Sequence, residues 1–209
     1  GPLNPSPAPP AHVPAAPPPN EDRADKPAAQ IAYREADPSA YGPSRAIGRM
    51  YRTASQRYRD LYYRLHAEVD GPLDRVRRAV TAGSEDALLV RTADHGDLLG
   101  AHGGLHQKWF NLYDEATRVP LTIVRTGTQP TPVARIQRTP TSHVDLLPTL
   151  LATAGIDTDA VARQLADDFS EVHPLPGQDL TPLLSGTEAA QDERAVYLMT
   201  RDNFLEGDS

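Results

Sequence analysis

The chain of 209 residues contains no cysteine, which excludes disulfides, a thiolate zinc site and a cysteine nucleophile. It has no apolar run approaching membrane-spanning length, so no membrane segment is expected. It has no surplus of basic charge. Its 21 Lys and Arg stand against 28 Asp and Glu, a net charge of -7, and a nucleic-acid partner is not expected. No signal-peptide pattern opens the sequence, because Gly1-Pro2-Leu3 leads straight into proline-rich residues; location stays open, with a slight lean towards the cytoplasm. No internal repeat is visible.

Proline is abundant instead, and unevenly placed: 10 of the 21 prolines lie in residues 1–30. Such a segment cannot form a regular helix and reads as extended or linker-like. The length of the remainder, 31–209, suffices for one domain with a real core. From Pro43 the apolar residues Ile47, Met50, Tyr51, Ala54, Tyr58, Leu61, Tyr62, Leu65 and Val69 recur at three- and four-residue spacing, one face of a long helix. The tyrosines at 51, 58 and 62 fall on that face and read as packing residues. Leu73, Val76 and Val80 continue the rhythm, but Gly71-Pro72 predicts a break or kink, because proline removes a donor and crowds the preceding turn. Gly83 is the expected C-terminal stop.

Strands are predicted over Ala87 to Thr92, Val119 to Arg125 and Ala195 to Thr200. Helices are predicted from His143 to a Gly155 cap, over Asp159 to Phe169, and over Leu180 to Leu184. Gly127 to Pro140 reads as a loop.

The chemistry concentrates after the first of these strands, in Ala93-Asp94-His95-Gly96-Asp97-Leu98-Leu99-Gly100-Ala101-His102-Gly103-Gly104-Leu105-His106-Gln107-Lys108. Ligands of α/β sheets gather beyond the carboxyl ends of strands. Asp94 and His95 offer a carboxylate oxygen and an imidazole nitrogen side by side, two good ligands for a divalent cation. Gly96 is expected to let the backbone turn tightly behind them. Lys108, beyond a glycine-rich loop, offers a positive charge. A metal and a lysine aimed at one point suit a tetrahedral oxyanion, sulfate or phosphate. Taken alone, Asp94 and His95 would be an N-cap beside a polar turn, Asp97 a loop carboxylate, and His102, His106, His66 and His143 structural or surface residues. Arg118 is expected to be a buried partner of Asp114 or Glu115.

Asp94-His95-Gly96, Leu99-Gly100 with His102-Gly103, Lys108, Tyr113 and Arg118-Val119-Pro120-Leu121 resemble the C-terminal half of the sulfatase catalytic domain, of the choline-sulfatase and arylsulfatase type within the alkaline-phosphatase-like superfamily. Asn20-Glu21-Asp22, Asp25-Lys26-Pro27, Tyr62-Tyr63, Glu68-Val69-Asp70, Asp145-Leu146-Leu147-Pro148-Thr149-Leu150 and Pro176-Gly177-Gln178-Asp179-Leu180 extend the resemblance, with gaps, to about residues 20–184. It implies an α/β fold: part of a sulfatase-like domain, with a mixed sheet flanked by helices, over 31–209, behind the proline-rich extended segment 1–30. It implies metal ligation by Asp94 and His95, contact of Lys108 with the sulfate or leaving oxygen, and His102 beside the substrate. Calcium is the first choice of metal, with magnesium or manganese as alternatives, and the partner is a small-molecule sulfate ester.

The family's nucleophile, a formylglycine made from Cys or Ser in a Cys/Ser-x-Pro/Ala-x-Arg motif, has no counterpart in these residues. Tyr41-Gly42-Pro43-Ser44-Arg45 carries the Pro-Ser-Arg, but Tyr41 cannot become formylglycine. Arg91 and Ala93 also replace the aromatic and serine usual before Asp94, and His12 has no clear alignment to the family's upstream histidine. The expectation is therefore a portion of a metal-dependent sulfatase, inactive alone, with the N-terminal half upstream or on a separate chain. The alternatives are a non-catalytic remnant or interaction module, and a phosphate-transferring relative of the same superfamily.

Overall fold

A computed structural model describes residues 13–15, 24–31, 55–83, 86–105, 107–108, 110–127, 136–186 and 193–200. The chain divides into two compact units, one of residues 1–84, 89–122 and 198–209, the other of residues 85–88 and 123–197. The order is helix α1 (Ser55–Ala82), strand β1 (Ala87–Arg91), strand β2 (Thr122–Thr126), a short 3-10 turn (His143–Asp145) running into α2 (Leu146–Thr153), then α3 (Thr158–Leu165) and α4 (Thr181–Ser185). A single helical turn lies at Asp114–Thr117 between the strands, and a tight turn with non-helical backbone at His102 and Gly103 lies at Ala101–Gly104. β1 and β2 pair in a two-stranded sheet. This is a mixed helix and strand architecture, consistent with part of an α/β domain. Most of the proline-rich segment, and the expected helix start at Pro43, fall outside the described residues.

α1 corrects one expectation. It runs through Gly71 and Pro72 as one 28-residue helix. Pro72 removes a single N–H, and the carbonyl it would have served, on Glu68, lies on an exposed stretch where water can take the donor's place. The apolar residues Leu65, Val69, Leu73 and Val76 are exposed along the same helix. Asp74 pairs with Arg77 at 2.7 Å and Arg78 at 2.6 Å, one turn away on an exposed surface, where such pairs contribute little.

The predicted strand over 195–200 is likewise not formed; residues 194–200 have no regular structure. That segment is tied down by a side chain instead. Asp145 is completely buried, at 0% exposure, and all its acceptor capacity is used. Oδ1 accepts from Gln178 N and Arg194 Nη2, both at 2.8 Å. Oδ2 accepts from Ser142 N at 2.8 Å and Arg194 Nη1 at 2.7 Å. Arg194, 10% exposed, also donates to Pro140 O at 3.0 Å. Burial pushes the Asp145 carboxyl up, but Arg194 and the two backbone N–H groups outweigh it and hold the group below the usual carboxylate range.

The neighbouring hydroxyl extends the network. Thr149 Oγ1 donates to Asp145 O at 2.6 Å and accepts from Leu180 N at 2.9 Å. The segments 145–150 and 176–180 are thus stitched to each other. Gly177 permits it, because a Cβ there would overlap the Val144 carbonyl and come within 2.7 Å of Asp145 N. α2 closes as expected at Gly155, which has φ 71, with Gly155 N on Ala152 O and Ile156 N on Leu151 O, both at 3.0 Å.

Arg194→Ala is expected to destabilise this unit by about 3–5 kcal/mol, because it leaves the Asp145 charge buried and unpaired. The check is urea unfolding followed by circular dichroism. Since the folded pKa of Asp145 lies below its unfolded value of about 3.9, the stabilisation is complete above that pH and is lost as pH falls through the folded value. The stability difference between the original chain and Arg194→Ala should therefore shrink in acid.

Candidate active site

The site begins where β1 ends. Arg91 closes the strand, and its guanidinium lies 3.7 Å from Asp70 on α1. Three residues on, the Asp94 side chain is 85% exposed and that of His95 32%. Asp94 Oδ1 accepts from His95 N at 3.0 Å. His95 Nδ1 lies 2.6 Å from Gly96 O, and because a carbonyl only accepts, Nδ1 carries the proton in the neutral ring. The lone pair is then on Nε2, which lies 3.4 Å from Asp94 Oδ2. When its ring is protonated, His95 is the main influence holding the Asp94 carboxyl below its usual range, with Lys108 a smaller contributor of the same sign.

Gly96 is required for a reason other than the expected turn. Its N–H donates to Ala116 O at 2.8 Å, and a Cβ would overlap the Glu115 carbonyl. The glycine admits a close approach of two backbones, rather than a left-handed residue.

The loop that follows holds the left-handed non-glycine residues found among the described residues. Leu99, His102, Gln107 and Phe110 all have φ between 46 and 56, and Gly100, Gly103 and Gly104 are left-handed too. Each non-glycine residue held there costs on the order of 1–3 kcal/mol. The offset comes from a small core of Leu98, Leu105 and Ala116, with Phe110 and Tyr113 packed against it. Asp97 Oδ1 accepts from Leu99 N at 2.8 Å and Gln107 N at 3.1 Å. Leu98 N donates to Gln107 O at 2.9 Å. From outside, Arg59 on α1 donates to Leu99 O at 3.1 Å through Nη1 and to Pro14 O at 3.1 Å through Nε. One guanidinium thereby ties the helix, the loop and the proline-rich segment together.

His102 stacks flat on Tyr113, with centroids 3.6 Å apart and planes at 7°, and its Nε2 lies 3.2 Å from Glu115 Oε2. Partial burial pushes the Glu115 carboxyl up, but its own backbone N–H and His102 hold it below the usual range. Tyr113 OH donates to Gln30 Oε1 at 3.4 Å, and Lys26 Nζ lies 6.0 Å over its ring. Glu115 therefore takes His102 rather than Arg118, which is exposed. Lys108 is half-buried just beyond the loop.

Asp94, His95 and Lys108 thus share one loop, and His102 is turned into the Tyr113–Glu115 contact. Among the described residues, no group of three or more His, Asp or Glu side chains comes together that could hold a metal. His12, His106 and the 41–45 segment lie outside the described residues. Arg59 and Arg194 were not singled out by sequence, since each sits among other charged residues and no spacing marks it as buried.

The sulfatase family model matches residues 9–156, more than half of the chain. The chain belongs to the sulfatase family. An uncharacterized sulfatase, YidJ, of Escherichia coli K12 is 36% identical over 190 residues, which cover 90% of this chain and 31% of that protein. A choline-sulfatase of Rhizobium meliloti is 34% identical over 116 residues, 54% of this chain and 19% of that one. A Delta 4,5-hexuronate-2-O-sulfatase of Bacteroides thetaiotaomicron is 36% identical over 96 residues, 44% of this chain and 19% of its own. The sulfatase chain thus spans a third or less of the length of these curated relatives. No solved structure matches it.

Gly96→Ala is expected to destabilise the sulfatase loop by about 1–3 kcal/mol, since the backbones at 96 and 115 must part. Gly71→Ala, on α1 and 4.0 Å from its nearest neighbour Arg75 Nη1, is the control; it should be stabilising by about 1 kcal/mol. Urea midpoints of the two variants check the contrast.

Proposed function

We propose that this chain supplies part of the active site of a metal-dependent sulfuric ester hydrolase acting on a small-molecule sulfate ester. The observation that carries the reading is that Asp94 Oδ2 and His95 Nε2, the ring nitrogen left unprotonated by the Gly96 contact, lie 3.4 Å apart. That separation fits two adjacent ligands of one cation, for which bond lengths of about 2.4 Å at a right angle give about 3.4 Å. The donor set agrees in kind, one hard carboxylate oxygen and one neutral imidazole nitrogen whose tautomer is set by Gly96 O.

Asp94 and His95 would hold the cation, calcium first and magnesium or manganese as alternatives. A cation held there would supply positive charge to the oxygens of the sulfate group. Lys108 would neutralise the ester oxygen as it leaves. His102 would lie beside the substrate, kept in one orientation by Tyr113 and Glu115. The nucleophile and the remaining metal ligands are proposed to lie on polypeptide outside residues 1–209.

Two ligands leave a cation that wants six to eight oxygens largely hydrated, so the chain alone should bind calcium, magnesium and manganese weakly. It should also show no turnover of an aryl sulfate above a Lys108→Ala control, for want of a covalent nucleophile. Calorimetric titration of the purified chain, with and without a polypeptide carrying the family's N-terminal half, is the test. Tighter binding on addition, lost in Asp94→Ala, supports a shared site. Micromolar or tighter binding by the chain alone, abolished by Asp94→Ala, would show that the site is complete within these residues. No binding under either condition would favour the non-catalytic module.

A further inference from the structure

The loop between the metal pair and the lysine is closed by one carboxylate oxygen. Asp97 Oδ1 takes the N–H of Leu99, two residues ahead, and that of Gln107, ten residues ahead. The Gln107 carbonyl is taken in turn by Leu98 N at 2.9 Å. Both polar backbone groups of Gln107 are therefore gripped by residues 97 and 98, which lie two and three positions after His95. The peptide that carries the Gln107 carbonyl also carries the Lys108 nitrogen, so the grip sets where and in which direction Lys108 leaves the loop. Gln107 is left-handed, at φ 53, a conformation that a non-glycine residue keeps only when its surroundings impose it. Leu98 and Leu105, each 1% exposed, prevent the closed loop from sliding.

We propose that Asp97 is a positioning residue: by closing the 97–107 loop through these two amides it fixes Lys108 relative to the Asp94–His95 pair. The proposal rests on the reading of Lys108 as the anion contact. What the loop needs from Asp97 is an acceptor oxygen at Oδ1, and its negative charge is dispensable. An asparagine, which keeps a carbonyl oxygen at that position, should therefore preserve the function, and an alanine should not.

The test is trace acetylation of the full chain with acetic anhydride, with and without inorganic sulfate in the presence of calcium. The reaction at Lys108 is read by mass spectrometry against Lys26 as internal reference. In the unsubstituted chain, sulfate should slow acetylation of Lys108 roughly threefold when present at about twice its dissociation constant. Asp97→Asn should keep that protection. Asp97→Ala should lose it, with faster hydrogen exchange at the Leu99 and Gln107 amides and unchanged helix content. Protection that persists in Asp97→Ala overturns the proposal, as does its loss in Asp97→Asn. Should Asp97→Ala fail to fold, Asp97→Asn decides alone, retained protection supporting the proposal and lost protection overturning it. Absence of protection in the unsubstituted chain overturns the anion reading of Lys108 itself, and the proposal with it, and is distinguished from the other outcomes because it shows before any substitution is made.

Discussion

A carboxylate removed wholly from water is tolerable only when its lone pairs are matched by donors, and Asp145 meets that demand with four hydrogen bonds from three residues. The consequences spread through the unit that contains it. Ser142 and Asp145 cap one another and start α2. Gln178 and Leu180 are drawn against the same helix start, which brings the chain at Gly177 so close to Val144 that no side chain fits. Arg194 is pulled in from the far end of the unit, and its planar fork meets both carboxylate oxygens at once, which a lysine could not do. Residues 145–150 and 176–180, which look in sequence like separate signatures, are two sides of one polar joint.

The loop of residues 96–110 follows the opposite strategy. Its backbone holds several residues in left-handed conformations, and little regular structure supports them. The restraints are few and local: the small apolar cluster beneath, Asp97 within, Arg59 on α1 outside, and the passage of Gly96 under residues 115 and 116. A loop built this way can aim an aspartate, a histidine and a lysine from one short stretch, at a cost in backbone energy that regular elements would not incur. The stacking of His102 on Tyr113 belongs to the same economy, since it turns a polar ring into packing surface while Glu115 satisfies one ring nitrogen.

Membership of the sulfatase family was legible because it is written in local strings: Asp94-His95-Gly96, His102-Gly103, Lys108 and Asp145-Leu146-Leu147-Pro148-Thr149. The strands at 87–91 and 122–126 and the helix from 146 were also readable, from apolar runs and periodicity. Of the break or kink expected at Gly71-Pro72, the break did not form, because proline's penalty depends on what surrounds the carbonyl it leaves free, and there the helix is exposed. The expected strand at 195–200 was misread because a short apolar run becomes a strand only with a partner ladder, and the chain here is anchored through the neighbouring Arg194 instead.

By itself the sequence determined the family to which the chain belongs and the order in which its candidate groups stand along the chain, since identity and spacing are properties of the polymer. The tertiary structure alone decided that Gly96 and Gly177 are there for close passage of backbones, that Glu115 pairs with His102, and that Arg194 neutralises Asp145 from 49 residues away. Those outcomes depend on which distant segments meet. A solvated carboxylate and a buried one have the same letter, and only the fold distinguishes them.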